Sequence, residues 1–164
     1  MIHAGLYYPP NSLKAKVCCD GRQKIYEYAS LKNIPFKKTG KLIVATDESQ
    51  LGQLQSLYDN GIANEVPLEF LSKDKVSALE EEIKCETAIF SSESGVISVP
   101  EYLAALEEDI KKNGYVVLAS EFKQAKKSKG QFELTLNSSD KINCTYLINA
   151  SGLHTEDVAN RIEE

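Results

Sequence analysis

Met1-Ile-His-Ala-Gly-Leu-Tyr-Tyr-Pro-Pro-Asn-Ser-Leu-Lys14 opens the chain and sets a histidine, a glycine, two tyrosines and a lysine in one short segment. Chain starts are usually frayed and chemically idle. A terminus this dense in functional groups reads as a segment shaped to meet a ligand, and the chain as the interior of something longer. Pro10 disfavours helix before it, and Asn11 or Ser12 can cap one after it. Leu13, Val17, Gly21, Ile25, Tyr28 and Ala29 then recur at three- and four-residue spacing and predict one buried stripe. That helix should end near Asn33, with Pro35 just beyond.

Working outward, Lys41 to Thr46 reads as a strand whose apolar run suits burial on both faces. Asp47 with Gln50 has the spacing of a capping box. The helix it starts has Leu51, Leu54 and Tyr58 on its inner face and Gly61 as its stop. Leu68 to Leu71 is a short strand, Ser72 caps a helix through Val76, Leu79 and Ile83, and Thr87 to Phe90 is another strand. Pro100, Glu101 and the pair Lys111-Lys112 suit the two ends of a fourth helix. Its inward face would be Leu103, Leu106 and Ile110, and Asn113-Gly114 would close it. The period then changes to two. Tyr115 to Ala119, the stretch around Phe132, Leu134 and Leu136, and Ile142 to Ile148 read as strands separated by the polar turns Lys126–Gly130 and Asn137–Lys141. Thr155 to Ile162 is a last short helix. Alternating helices and strands place the chain in the α/β class, mixed with α+β character.

Several functions are excluded at this level. A net charge of −5 opposes nucleic acid, whose phosphates need a basic surface. No apolar run approaches the roughly 20 residues of a membrane helix, and the N-terminus does not read as a secretory leader. The four cysteines, at 18, 19, 85 and 144, contain no CxxC. Adjacent thiols on a helix diverge, so free thiols are expected rather than disulfides or a metal centre. The acidic runs Glu80–Glu82 and Glu107–Asp109 point around their helix axes and read as solvated faces. No metal site is expected.

His3-Ala-Gly-Leu-Tyr-Tyr-Pro-Pro, Ser12-Leu-Lys-Ala, Thr39-Gly-Lys-Leu-Ile-Val-Ala45, Ser94-Gly-Val-Ile97 and Leu147-Ile-Asn-Ala-Ser-Gly-Leu153 follow one another along nearly the whole chain. In that order they resemble the L-2-hydroxyglutarate dehydrogenases and oxidases, which are FAD-dependent oxidoreductases of the D-amino-acid-oxidase type. The resemblance implies a partial fold of that family. Residues 1–33 and 94–164 would be a remnant of the FAD-binding domain, and 34–93 an inserted segment of the substrate-binding domain. In such proteins a Gly-x-Gly-x-x-Gly turn before a helix holds the FAD pyrophosphate. This sequence has none: its nine glycines stand singly. An internal fragment is therefore expected, with weak or no FAD binding by itself.

The resemblance also implies roles. His3 would lie against the flavin ring as the catalytic base, because an imidazole with pKa about 6.5 can take a hydroxyl proton as a hydride leaves the same carbon. The alternative is an idle residue near a chain end. Ala4 and Gly5 would let the backbone approach the ring closely; an ordinary turn is the alternative. Tyr8 and Lys14 would contact the substrate carboxylates; the alternatives are a core or polar-tipped surface tyrosine and a solvated surface lysine. Tyr7 is the other candidate phenol, and Lys41 a weaker cation that strand alternation turns outward. Phe122 would meet the adenine through its backbone, and Ala150, Ser151 and Gly152 would border the adenosine and pyrophosphate. Glu156 and Asp157 oppose phosphate at the helix that follows, so any contact there is by backbone. His154 reads as surface.

The expected function is thus a fragment of an enzyme oxidising (S)-2-hydroxyglutarate, or a related 2-hydroxyacid, to the 2-oxoacid with FAD, and inactive alone. Two alternatives stay open. One is a non-enzymatic subunit complementing a separate polypeptide that carries the Gly-x-Gly-x-x-Gly unit. The other is a small carboxylate-binding α/β module. The expected location is cytoplasmic, or peripheral to a membrane.

Overall fold

The computed structural model describes residues 1–163. Cα packing divides them into two compact units, Met1–Lys112 and Asn113–Glu164.

The first unit begins with α1 (Leu13–Leu31), capped by Ser12, whose hydroxyl accepts from the Ala15 N–H at 3.1 Å. Its end follows from Asn33, which takes a positive φ of 54° while the Ile34 N–H returns to the Ala29 carbonyl at 2.8 Å. The buried stripe differs from the expected one. Ala15, Tyr26 and Ala29 are buried, whereas Leu13 is 76% exposed and Val17 55%. The inward face also carries Cys19 and Arg22, polar groups that a search for apolar periodicity passes over. After α1 come β1 (Phe36–Lys37), β2 (Lys41–Ala45), α2 (Leu51–Ala63), β3 (Leu68–Ser72), α3 (Lys73–Leu79), β4 (Thr87–Ser91), β5 (Val96–Ile97) and α4 (Val99–Asn113).

Strands β2, β4 and β3 form an antiparallel sheet with β4 at its centre, pairing Ile43 with Ile89 and Leu71 with Ala88. One face packs Ala45 and Ile89 against Leu54 of α2; the other packs Leu71 and Ala88 against Val76 of α3. Both faces of β2 are thus covered, as its continuous apolar run requires. The capping region before α2 is tighter than a simple box. Asp47 accepts from the Ser49 N–H at 2.9 Å over a 3-10 turn, while the Gln50 side chain accepts from the Thr46 N–H at 2.9 Å. Gly61 is not the helix stop. It is a buried helical residue, and a Cβ there would collide with Leu68 and lie 3.2 Å from the Leu6 Cβ. The chain turns instead at Glu65, with φ of 57°.

α4 buries none of its residues, and Leu103 and Ile110 are exposed, contrary to the expected inner face. Its ties to α1 are an edge-on contact of the Tyr102 and Tyr28 rings, with centroids 5.9 Å apart, and a polar cluster. Asp109 accepts from the Tyr28 hydroxyl at 2.9 Å and pairs with Lys32 and with Lys112, the latter at 2.9 Å. Hydrogen bonds from Lys32, Lys112 and Tyr28 hold this carboxyl well below the usual carboxylate range. A lowered folded-state pKa stabilises the fold above the ordinary aspartate pKa of about 3.9 and loses that effect as pH falls. Asp109→Asn should therefore lower stability at neutral pH, with the gap from wild type narrowing steadily as pH falls below about 5. Denaturant titrations across that range measure it; a gap independent of pH would refute the link.

The second unit contains β6 (Phe122–Ser128), β7 (Gln131–Leu136), β8 (Lys141–Cys144), α5 (Thr155–Ala159) and β9 (Ile162–Glu163), in the sheet order β8-β7-β6-β9. Lys129 and Gly130, with φ of 51° and 79°, make the β6–β7 turn, the paired left-handed conformation that a two-residue hairpin favours. β6 escapes sequence reading because its composition, Phe-Lys-Gln-Ala-Lys-Lys-Ser, has little apolar alternation. Of the expected strands, Tyr115–Ala119 pairs with nothing among the described residues, and Ile142–Ile148 forms only at its start, as β8, leaving Tyr115 94% and Ile148 86% exposed. Apolar, β-branched composition predisposes a segment to extend, but only a ladder partner makes it a strand.

Candidate functional site

The opening segment is held by pairing and by alternation. Ile2 bridges Gly95, with its N–H donating to the Gly95 carbonyl at 2.7 Å and the return bond at 3.1 Å. Ile2, Ala4, Gly5 and Leu6 are buried, whereas His3 between them and Tyr7 after them are exposed. Ala4 and Leu6 pack with Val66 and with Cys19, Ile43, Leu57 and Leu68. Gly5 takes φ of 101°, and a Cβ there would lie 2.7 Å from the Cys19 sulfur.

The backbone carbonyls of this segment are tied back into the protein. Arg22 Nη1 donates to the Ala4 carbonyl at 3.0 Å. Asn60 Nδ2 donates to Leu6 at 2.6 Å and to Tyr8 at 2.9 Å. Asn64 Nδ2 donates to Gly5 at 3.2 Å and to Tyr8 at 2.8 Å. Longer contacts run from the Cys18 and Cys19 thiols to the His3 and Ala4 carbonyls, both at 3.9 Å. Burial, then the neighbouring Cys19, raise the Cys18 thiol pKa, so it stays a neutral donor rather than a nucleophile.

The consequence is an asymmetry in the backbone. With their carbonyls bound, His3, Ala4, Gly5 and Leu6 have N–H groups that donate to nothing among the described residues. Buried backbone donors without partners are uncommon and call for a ligand or water. Gly5 is buried and its missing side chain makes room for the Cys19 sulfur, while the free N–H groups of the segment are donors for a ligand that carries acceptor atoms.

Around this loop the structure forms two cation–phenol pairs. Lys14 Nζ lies 5.2 Å from the centroid of the half-buried Tyr8 ring. Lys41 Nζ donates to the Tyr7 hydroxyl at 2.6 Å and stands 4.5 Å from that ring centroid. Tyr7 also walls a cleft of about 360 Å³ with Ile43, Val44, Gln50 and Leu57. Both pairs suit anionic carboxylates beside an apolar chain. Lys41 is therefore drawn to Tyr7 rather than simply turned into solvent. Below them, Glu93 gathers Lys38 at 3.1 Å and Arg22 at 3.9 Å, and its carbonyl accepts from the Tyr26 hydroxyl at 3.1 Å. Arg22, Asn60 and Asn64 are site-building residues that sequence reading passed over. The only hint was Arg22 lying seven residues from Ala15 and three from Cys19, on one helix face.

His3, Ala4, Gly5, Tyr8 and Lys14 thus share the first unit. Phe122, Ala150, Ser151 and Gly152 lie in the second. Phe122 is half-buried and pairs with Leu136. Ala150, Ser151 and Gly152 are exposed in a turn that Asn149 organises, its side chain accepting from the Ser151 hydroxyl at 2.7 Å and donating to the Thr155 carbonyl at 2.8 Å. Gly152 has φ of 61°, which lets the chain reverse there. His154 is exposed and lies 3.8 Å from Asp157. Among the described residues no three His, Cys, Asp or Glu side chains converge to hold a metal.

The model of one protein family, described as FAD dependent oxidoreductase, matches residues 1–164. Among curated proteins, the chain is 43% identical over 109 residues to the mitochondrial L-2-hydroxyglutarate dehydrogenase of Arabidopsis thaliana, covering 66% of the chain and 23% of that protein. It is 30% identical over 172 residues to the Homo sapiens enzyme of the same name, covering 97% of the chain and 37% of that protein. Among solved structures, L-alpha-glycerophosphate oxidase from Mycoplasma pneumoniae with FAD bound superposes with a TM-score of 0.84 at 24% identity, over 98% of this chain and 44% of the other. Glycine oxidase from Geobacillus kaustophilus gives 0.84 at 16% identity, over 98% and 45%. At those identities the likeness shows a shared fold. The chain spans less than half the length of these relatives.

Proposed function

The chain belongs to the FAD dependent oxidoreductase family, and on that premise we propose that it carries the flavin-ring and substrate side of an enzyme oxidising (S)-2-hydroxyglutarate, or a closely related 2-hydroxyacid, to the 2-oxoacid. The observation that carries this reading is the pinned loop at His3–Leu6, with its carbonyls bound and its N–H groups free. FAD, when bound, supplies the hydride acceptor. His3, displayed on that loop, takes the substrate hydroxyl proton as the carbon–hydrogen bond gives up its electron pair, leaving a carbonyl. Ala4 and Gly5 keep the loop surface flat beside the ring. Lys14 with Tyr8 binds a substrate carboxylate, and both are held near each other before any ligand arrives.

In this reading residues 1–33 and 94–164 serve the cofactor and 34–93 the substrate. Phe122, Ala150, Ser151 and Gly152 lie toward the nucleotide. This functional division crosses the two packing units. The sequence has no Gly-x-Gly-x-x-Gly turn, so the diphosphate has no dedicated cradle within it, and turnover by the chain alone is not expected. The exposed, unpaired segments at Tyr115, Val117 and Leu118 and at Tyr146 and Ile148 favour a second form of the proposal. In it the chain works joined to further polypeptide that supplies the missing turn and strands. Among the described residues no helix is long and apolar enough to cross a membrane. Independently of that, our proposal is a protein of the cytoplasm or of a membrane periphery.

The ring contacts alone should still give weak binding, so titrating FAD with the purified chain at high concentration should partly quench flavin fluorescence. Binding of 2-oxoglutarate with no response to FAD would assign a carboxylate-binding module instead and end the oxidoreductase reading.

A further inference from the structure

We infer that Asn60 and Asn64 are positioning residues whose side chains hold the His3–Leu6 loop in its ligand-facing orientation; this rests on the reading that the loop meets a flavin ring. The two lie one turn apart on or just beyond α2, which sets them on the same helix face. Each uses a single amide nitrogen to bridge two carbonyls: Asn60 spans Leu6 and Tyr8 at 2.6 and 2.9 Å, and Asn64 spans Gly5 and Tyr8 at 3.2 and 2.8 Å. Carbonyls only accept, so the nitrogen of each amide must face them, and the orientation of both side chains follows.

The chemistry leaves few substitutes. A bridge between two carbonyls needs two hydrogens on one atom carried by a short, uncharged side chain. Serine and threonine have one, and aspartate turns acceptors toward acceptors. Lysine and arginine bring a charge on a longer stem. Asn64 is itself buried, and its own carbonyl lies 3.4 Å from the Cys19 sulfur, the atom closest to where a Cβ on Gly5 would fall. The same residue therefore sets both the orientation of the Gly5 peptide and one wall beside it. Because the Gly5 and Leu6 carbonyls are turned toward α2, the N–H groups along the loop are left for a ligand. Without the bridges, those peptides are free to rotate, and their N–H groups are no longer held where the bound carbonyls set them.

The test uses the 164-residue chain as wild type, Asn64→Asp and Asn60→Asp, labelled for backbone relaxation and titrated with FAD. In wild type the amide order parameters of Ala4–Leu6 should match those of α1, near 0.85. In each variant they should fall below about 0.6 while α1 and the sheet stay ordered. FAD affinity should fall about tenfold on losing two hydrogen bonds. A purely structural role would lower the denaturation midpoint and leave the loop as rigid as the helices until global unfolding. Unchanged loop order in folded Asn60→Asp and Asn64→Asp would overturn the inference. If Asn64→Asp does not fold, Asn60→Asp decides by the same measurement. If wild type ignores FAD yet the loop loosens in the variants, the flavin reading fails and the positioning role stands.

Discussion

Replacing Gly95 by alanine should destabilise the first unit by roughly 3 kcal/mol or more. Gly95 sits where three stretches of chain meet. Its backbone bridges Ile2, β5 begins beside it, and β5 pairs with β1 through Lys37 and Val96. A Cβ on Gly95 would collide with the Tyr26 hydroxyl and lie 2.6 Å from the Lys37 carbonyl oxygen and 3.3 Å from the Lys38 Cα. The tyrosine tip can swing away, at the cost of its bond to the Glu93 carbonyl. The Lys37 oxygen cannot, because it belongs to backbone already committed to a strand. Tyr26→Phe added to Gly95→Ala should therefore restore only part of the loss. Urea titrations of both variants measure this, and a Gly95→Ala protein within about 1 kcal/mol of wild type would show that the backbone yields after all.

The second large effect is expected at Gly5. Alanine there meets two separate penalties. Its φ of 101° lies in a region that residues with a Cβ rarely enter, costing of the order of 1–3 kcal/mol. The new Cβ would also stand 2.7 Å from the Cys19 sulfur, an overpacking cost of similar size. Cys19→Ala removes the second penalty and leaves the first, so a double-mutant cycle separates them. Gly5→Ala should lose about 2–4 kcal/mol, and pairing it with Cys19→Ala should recover about half. No recovery would mean that conformation alone makes glycine necessary. FAD binding should be lost in both proteins, since each forces the Gly5 peptide out of the orientation that Asn64 holds.

The candidate site was partly readable and partly not. His3, Tyr7, Tyr8 and Lys14 stand out because reactive side chains are crowded into fourteen residues, and in the structure Lys14 lies over the Tyr8 ring. The residues that orient the loop were invisible for a physical reason. Asn60 and Asn64 act through carbonyls some fifty positions earlier, and an asparagine on a helix has no local pattern that announces a distant backbone partner. Arg22 was hidden in the same way. A search for apolar spacing along α1 selects Leu13 and Val17, which are exposed, and skips the arginine that faces inward to bind the Ala4 carbonyl.

Elements set by contacts within a few residues were determined by the sequence alone. The Ser12 and Ser72 caps, the helices that follow them, the strands at Lys41 and Thr87, and the family resemblance all depend on neighbours along the chain. The tertiary structure decided whatever depends on a partner elsewhere. It left Tyr115–Ala119 unpaired despite strand-like composition, made a strand of the lysine-rich β6, and made Gly61 a packing site rather than a helix stop. It also turned the carbonyls of the opening loop inward. Local propensity is worth tenths of a kcal/mol per residue, whereas a missing ladder, a filled gap or an anchored carbonyl is worth a kcal/mol or more, so the distant partner prevails wherever the two disagree.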